Sequence, residues 1–349
     1  MHIPENYLSP STCAVMTAAM VPVWALSIKK IKKNFSKEKI VTLGTCAAFS
    51  FLGMMFNIPI PGGTTGHAVG AVLIACLLGP YASCIAVSMA LLIQCLLFGD
   101  GGLLAFGANC FNMAFAMPFV GYFVYKLIQK YLFSKKCLLP NGNKYVKQRD
   151  VIAAGIGSYI GINVAALCAA IEFGIQPMLF SDSNGQALYC PYGLNISIPS
   201  MMLGHLTIFG IADVIFTMFI LSYILKTSKA VTLDQYKPDK KSGKYTFILI
   251  AALIILTPLG LLATGTAWGE WGADEISSII TNGKKLGYTP FGLSNGFNLK
   301  ILIPDYSISG IPEWTAYIFS AIIGVGLVII FFKILSTFAK KKESVFSAK

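Results

Sequence analysis

The stretch AAGIGSYIGINVAALCAA, residues 153–170, contains no charged side chain and is built mainly from Ala, Gly, Ser and Cys. It lies in an apolar run over 150–173, long enough to cross the roughly 30 Å hydrocarbon core as a helix. Small residues suit such a helix, because lipid offers no hydrophobic drive and association relies on close backbone approach. Comparable runs lie at 10–28, 40–56, 66–79, 80–98, 103–131, 199–225, 244–264 and 313–337. Hydrophobic residues make up 55% of the chain and charged residues 12%, against about 25% charged in a soluble domain. Mean hydropathy is +0.69. The alternating pattern of a membrane β-barrel, about 10 residues per strand, is absent. The expected fold is all-α, a polytopic helical membrane protein.

The net charge of +12 is distributed in a way that orients the chain. Basic residues gather in KKIKKNFSKEK (29–39), in 126–149, in 226–244 and after the last run. With those segments in the cytoplasm, only Lys284, Lys285 and Lys300 of the 27 Lys and Arg residues lie outside. That is the positive-inside pattern, and it accounts for the basic balance without a nucleic-acid partner. The expected localisation is the cell membrane, with the N-terminus outside and the C-terminus cytoplasmic. No basic residue precedes Lys29, so the start lacks a signal peptide's positive region and is expected to stay uncleaved, with Met1 retained before the large His2.

Three segments organise the chain. Residues 1–225 form a transmembrane bundle, 226–243 a basic cytoplasmic connector, and 244–349 a two-span unit with a long external loop at 265–312. LLGPYA (77–82) reads as a tight turn between two short helical runs. The 9 cysteines show no CxxC pair and read as small apolar packing residues.

All 3 histidines fall in the outer half under this topology. His2 is in the external tail MHIPENYLSP. His67 ends the Gly-rich loop NIPIPGGTTGH (57–67), and His205 lies near the outer end of its span. The Met1 amine, the His2 backbone amide and the His2 imidazole can chelate one ion through fused rings, and His67 can close a square. Planar nitrogen coordination suits Ni(II) or Cu(II), whereas zinc prefers a tetrahedron; Co(II) also accepts nitrogen ligands. Asp100, in FGDGGL, is expected outside, with Asn109 and Asn112 in the outer half of the fifth span. Polar side chains inside a membrane face the bundle interior and tend to mark pathways. Glu172 and Asp213 are weaker candidates, and Asp213 reads equally as a buried hydrogen-bonding partner. The chain lacks HExxH, GxSxG and a P-loop lysine, so no catalytic constellation is present. Energy for uphill transport must come from another protein.

MHIPENYLSP, PIPGGTTGHAVGAVL and FGDGGLLAFGANCFNMAF resemble the CbiM/NikM family, substrate-binding (S) components of energy-coupling factor (ECF) transporters for cobalt and nickel. The resemblance covers about 1–225. TPLGLLATGTAWGEWGADEI (257–276) is similar to the CbiN/NikN companion component, here fused. The resemblance implies a seven-helix bundle whose N-terminal tail enters the metal pocket, plus two companion helices. It implies Met1, His2 and His67 as metal ligands, with His205 near the site; Asn109, Asn112 and Asp100 are expected near the site from their polarity and outer position. It also implies a membrane coupling (T) component and a cytoplasmic ATPase pair as partners, and no cofactor beyond the transported ion. Nickel is favoured by the planar nitrogen set and the AWGEWG loop; cobalt import for cobalamin synthesis, or a metal receptor that does not transport, are the alternatives. Trp268, Glu270 and Trp271 mark a gating loop. The tail departs from the family's HIPDG pattern, with Glu5-Asn6 in place of Asp-Gly, which changes the expected turn and leaves the ligands.

Overall fold

A computed structural model describes residues 1–60, 64–131, 142–228, 240–263, 265–281 and 283–338. Most of the expected connector, Gly62 and Gly63 of the Gly-rich loop, Cys137 and the basic C-terminus lie outside these residues. Helix α1 spans Pro10–Asn34, α2 Lys37–Met55, α3 Ala71–Leu78, α4 Pro80–Phe98, α5 Phe106–Tyr131, α6 Gly142–Gly174, α7 Leu194–Thr227, α8 Lys240–Leu256 and α9 Glu313–Thr337. Local chemistry sets several boundaries. Ser9 caps α1 by accepting from the Thr12 amide, with Pro10 behind it and Lys32 and Lys33 in the last turn, the charge pattern that the helix dipole favours. Gly79, at φ 90, turns the chain between α3 and α4, and Pro80 opens α4, a conformation that glycine adopts without steric cost.

Nine crossings were expected from hydropathy, and 7 helices among the described residues are long and apolar enough to span. The difference lies at 37–79. Helix α2 begins with Lys37, Glu38 and Lys39 and is buried along most of its length. The run at 66–79 holds no helix long enough to span by itself, although it leads from His67 to the turn at Gly79 from which α4 returns to Asp100 beside His2. Its helix α3 has only 8 residues, about 12 Å at 1.5 Å per residue. The chain before it forms a short hairpin, strands β1 (Ile58–Ile60) and β2 (Thr64–Gly66), and then an irregular buried segment at 67–70. Hydropathy reads this segment as span because it is apolar. Its lack of helix is tolerated because protein, not lipid, surrounds it.

Small residues set the closest contacts. A Cβ on Gly157 of α6 would lie 2.5 Å from the Gly121 carbonyl of α5, and one on Gly161 2.6 Å from the Met117 carbonyl. On the other side of the bundle α9 packs along α2, where a Cβ on Gly44 would lie 2.7 Å from Phe332. The two-span unit is therefore seated on the bundle itself. Three helices also contain π-helical stretches, Gln94–Phe98 in α4, Cys110–Ala116 in α5 and His205–Phe209 in α7. Such widened turns often mark functional sites. No disulfide joins the described cysteines, and all but Cys168 are buried.

Replacing Gly157 by Val should force α5 and α6 apart and destabilise the protein by about 1–3 kcal/mol. Thermal unfolding in detergent measures the loss, and an unchanged melting temperature would contradict this packing.

Candidate metal centre

The tail before α1 folds back into one end of the bundle in an extended conformation. Its backbone polar groups must then find partners from side chains. Asn109 supplies both for Ile3: the Ile3 amide donates to its Oδ1 at 2.7 Å, and its Nδ2 donates to the Ile3 carbonyl at 3.0 Å. The Gly102 amide adds a second donor to that carbonyl at 2.9 Å. Glu5 accepts from the Leu103 and Leu104 amides at 2.7 and 3.3 Å. Burial pushes the Glu5 carboxyl pKa up against the pull of those amides. Asn6 takes the left-handed conformation, φ 65, which Asn tolerates better than most residues. Its side chain exchanges two hydrogen bonds with the backbone of Phe297. The Glu5-Asn6 pair thus makes a working turn where the family pattern has Asp-Gly. Further along, Ser9 donates its amide to Gln176 Oε1 at 3.0 Å.

His67 is presented from the opposite side. It follows β2, and Gly66 lies so close to the π stretch of α7 that a Cβ there would be 2.6 Å from the Phe209 ring. After it, Asp213 of α7 accepts from the Val69 and Gly70 amides at 2.8 and 3.0 Å, and from the Ser158 hydroxyl. Asp213 is therefore the hydrogen-bonding partner that the sequence allowed for. What it holds is the segment carrying His67 and the start of α3.

The two imidazoles meet inside. His67 Nε2 lies 3.2 Å from His2 Nδ1, with ring centroids 4.8 Å apart. Both residues are buried, at 2% and 6% exposure for His2 and His67. His67 Nδ1 is 3.3 Å from the Ala68 carbonyl; as a donor there, it leaves the Nε2 lone pair facing His2. His2 Nδ1 is also 3.0 Å from Asp100 Oδ1, while its buried Nε2 has no partner. Two nitrogens bound cis to one ion, at about 2.0 Å each, would stand about 3 Å apart. The observed pair has that spacing.

Around this pair the external loop supplies a second set of groups. The Met1 amine is 3.2 Å from Glu270 Oε1. Tyr306 donates its hydroxyl to Asp100 Oδ2 at 2.6 Å and accepts from Gln94 Nε2 at 3.0 Å. Burial would raise the Asp100 carboxyl pKa, yet the neighbouring His2 imidazole, with His67 and Tyr306 behind it, holds it below the ordinary carboxylate range. Burial first, and Asp100 second, push the Tyr306 phenol well above its usual value, so it keeps the proton it donates. A cavity of about 540 Å³ opens beside His2 and His67, lined also by Asp100, Glu270, Asp305 and Glu313. Among the described residues no three His, Cys, Asp or Glu side chains form a ready-made metal cage. A chelate built on backbone nitrogens would not need one.

The structure separates the other candidates. Asn109 grips the tail. Asn112 bonds instead to Glu172 on α6 at 2.8 Å. His205 faces its own helix, with Nδ1 2.7 Å from the Met201 carbonyl, and its ring packs on Phe209, the residue that Gly66 abuts. Trp268 and Trp271 pack on Tyr192 and on each other, and the Trp268 amide donates to Thr64 Oγ1 at 2.9 Å. The sequence reading missed Gln94 and Tyr306. Gln94 offered a signal, a polar residue inside LLIQCLLF; Tyr306 offered none.

This arrangement defines a helical membrane protein with a buried nitrogen-rich pocket at one end of its bundle. Residues 2–231 match the CbiM family, the cobalt uptake substrate-specific transmembrane region, and residues 242–341 match the PDGLE domain. The chain belongs to the CbiM family, with a CbiN-like PDGLE unit fused behind it. It is 45% identical over 327 residues to the probable fused nickel transport protein LarMN of Lactiplantibacillus plantarum, covering 93% of this chain and 94% of the relative. It is 43% identical to the fused nickel transport protein NikMN of Rhodobacter capsulatus, covering 94% and 95%. A crystal structure described as a transition metal transporter is 53% identical with a TM-score of 0.58, over 65% of this chain and 93% of that one.

Asp213→Ala should leave the buried Val69 and Gly70 amides without their acceptor, at about 1–3 kcal/mol. If those amides set the position of His67, metal affinity should fall by about 10–100-fold, read by calorimetric titration of the purified protein.

Proposed function

We propose that this protein is the substrate-capture component of an ECF-type importer for a transition-metal ion, with Ni(II) the favoured cargo. The observation that supports it is the meeting of His2 Nδ1 and His67 Nε2 at 3.2 Å beside the Met1 amine, in a member of the CbiM family. In this reading the amine, the His2 amide nitrogen, the His2 imidazole and the His67 imidazole enclose the ion in a plane. Square-planar nitrogen sets suit Ni(II); Co(II) is the alternative cargo. The end of the bundle holding His2 and His67 faces outward, as the distribution of basic residues favours. A membrane coupling component and a pair of cytoplasmic ATPases supply the energy. No resident cofactor is needed.

Division of labour follows the two segments, 1–225 for binding and 244–349 for control of access. Glu270 holds the Met1 amine while the pocket is empty and gives it up when the ion arrives. The carboxylates lining the cavity attract cations, and Trp268 and Trp271 anchor the loop over the tail.

Three outcomes check this reading. One residue inserted between Met1 and His2 should break the fused chelate rings and remove tight nickel binding, whereas a C-terminal tag should leave it intact. His67→Ala should abolish tight binding in a protein that still elutes as a single species, and His205→Ala should weaken binding less; the reverse order would overturn the ligand assignment. Deletion of residues 240–349 should leave a bundle that binds nickel in detergent yet accumulates little in vesicles with its partners. Full uptake by the truncated bundle would refute a controlling loop, and nickel binding without any uptake by the intact protein would make it a receptor.

A further inference from the structure

Asn112 and Glu172 form a buried pair that the metal centre, as described, does not use. Asn112 sits in the π stretch of α5 and is fully buried, and Glu172 on α6 is 6% exposed. Asn112 Nδ2 donates to Glu172 Oε2 at 2.8 Å. The two remaining oxygens, Glu172 Oε1 and Asn112 Oδ1, are both buried and both without a partner. Neither described ion pair involves Glu172. Among the described residues, the thiols of Cys168, on its own helix, and Cys13, on α1, lie near enough to feel its charge. An isolated buried carboxylate is expensive and usually resolves the cost by taking a proton. Two orphaned acceptors in one hydrogen-bonded pair are also costly, since each forfeits its hydration. One proton removes both problems. On Glu172 Oε1 it turns an acceptor into a donor, and Asn112 Oδ1 is the acceptor waiting for it.

We propose that Glu172 is a neutral carboxylic acid in the folded protein and forms a cyclic acid–amide pair with Asn112 that positions the N-terminal tail. The connection to the tail runs through both partners. Asn112 shares the outer part of α5 with Asn109, which holds both backbone groups of Ile3. Glu172 donates nothing to the tail itself, but its backbone carbonyl accepts from Gln176 Nε2 at 3.0 Å, and Gln176 Oε1 accepts from the Ser9 amide. The pair thus joins α5, which grips the tail at Ile3, to α6, which is followed directly by Gln176, the acceptor of the Ser9 amide. Glu172 is a positioning residue and touches no proposed ligand. Its link to metal affinity rests on the reading that the tail and His67 bind the ion; its protonation does not.

The test uses the purified full-length protein at neutral pH. The infrared difference between wild type and Glu172→Gln should show the carbonyl band of a protonated carboxylic acid in the wild type alone. Loss of an ionised-carboxylate band instead would overturn the proposal. Nickel titration then examines positioning. Glu172→Gln should bind as wild type does, because a glutamine amide can close the same ring with Asn112. Asn112→Leu should lose about 10-fold or more in affinity, as expected of a group supporting ligands. A Glu172→Gln protein that folds but binds no nickel would show that the acid does more than close the ring, and Asn112→Leu with unchanged affinity would refute the positioning role. If wild type binds no nickel at all, the metal reading fails while the infrared result still decides the protonation.

Discussion

The pocket depends first on the paired hydrogen bonds between Asn109 and the backbone of Ile3. A strand of extended chain inside a helical bundle has no ladder to satisfy it, and an unmet backbone group there costs as much as a lost hydrogen bond. The Asn109 carboxamide presents one donor and one acceptor side by side, as a neighbouring strand would. It fixes the peptide next to His2, and so fixes where the His2 ring lies. Asp213 solves the same problem for the segment after His67, with a carboxylate in place of a carboxamide because the Val69 and Gly70 groups are both donors. Two stretches of irregular backbone are thereby held face to face, and the imidazoles they carry meet between them.

The π-helical stretches belong to the same design. Each lies at or next to a residue that holds the pocket's parts: Gln94 and Asp100 at the end of α4, Asn109 in α5, and Phe209 in α7, against which Gly66 packs. A widened turn shifts the phase of a helix, so polar side chains can turn inward without breaking the apolar face that meets lipid. The close Gly121–Gly157 approach lets α5 and α6 run together at these sites.

The fused unit is part of the pocket wall, which hydropathy alone does not convey. Its helix α9 lies along α2, and its loop brings Glu270 to the Met1 amine and Tyr306 to Asp100. Asp100 is thus shared, one oxygen facing His2 and the other facing the loop. Any movement of the loop must alter the surroundings of His2. In the proposed reading, that coupling is the unit's route to influence metal entry.

The sequence by itself determined the class of fold, since long uncharged runs have no other stable home than a bilayer, and the helices at 10–34, 313–337 and most between them follow from it. It also singled out His2 and His67, because histidine is rare here and each lies in a polar, glycine-bearing or terminal setting, and it marked Asp100 and Asn109 by their polarity beside apolar runs. It did not convey that 66–79 is an irregular buried segment followed by a short helix, because burial in protein and burial in lipid look alike to hydropathy. The tertiary structure alone decided that Asn112 turns to Glu172, that His205 bonds to its own helix, and that Gln94 and Tyr306 join Asp100. These choices depend on the rotation of each helix about its axis and on contacts between residues up to some 200 positions apart, as for Tyr306 and Asp100. Side-chain identity states what a residue can bond to, and only packing determines which partner comes within reach.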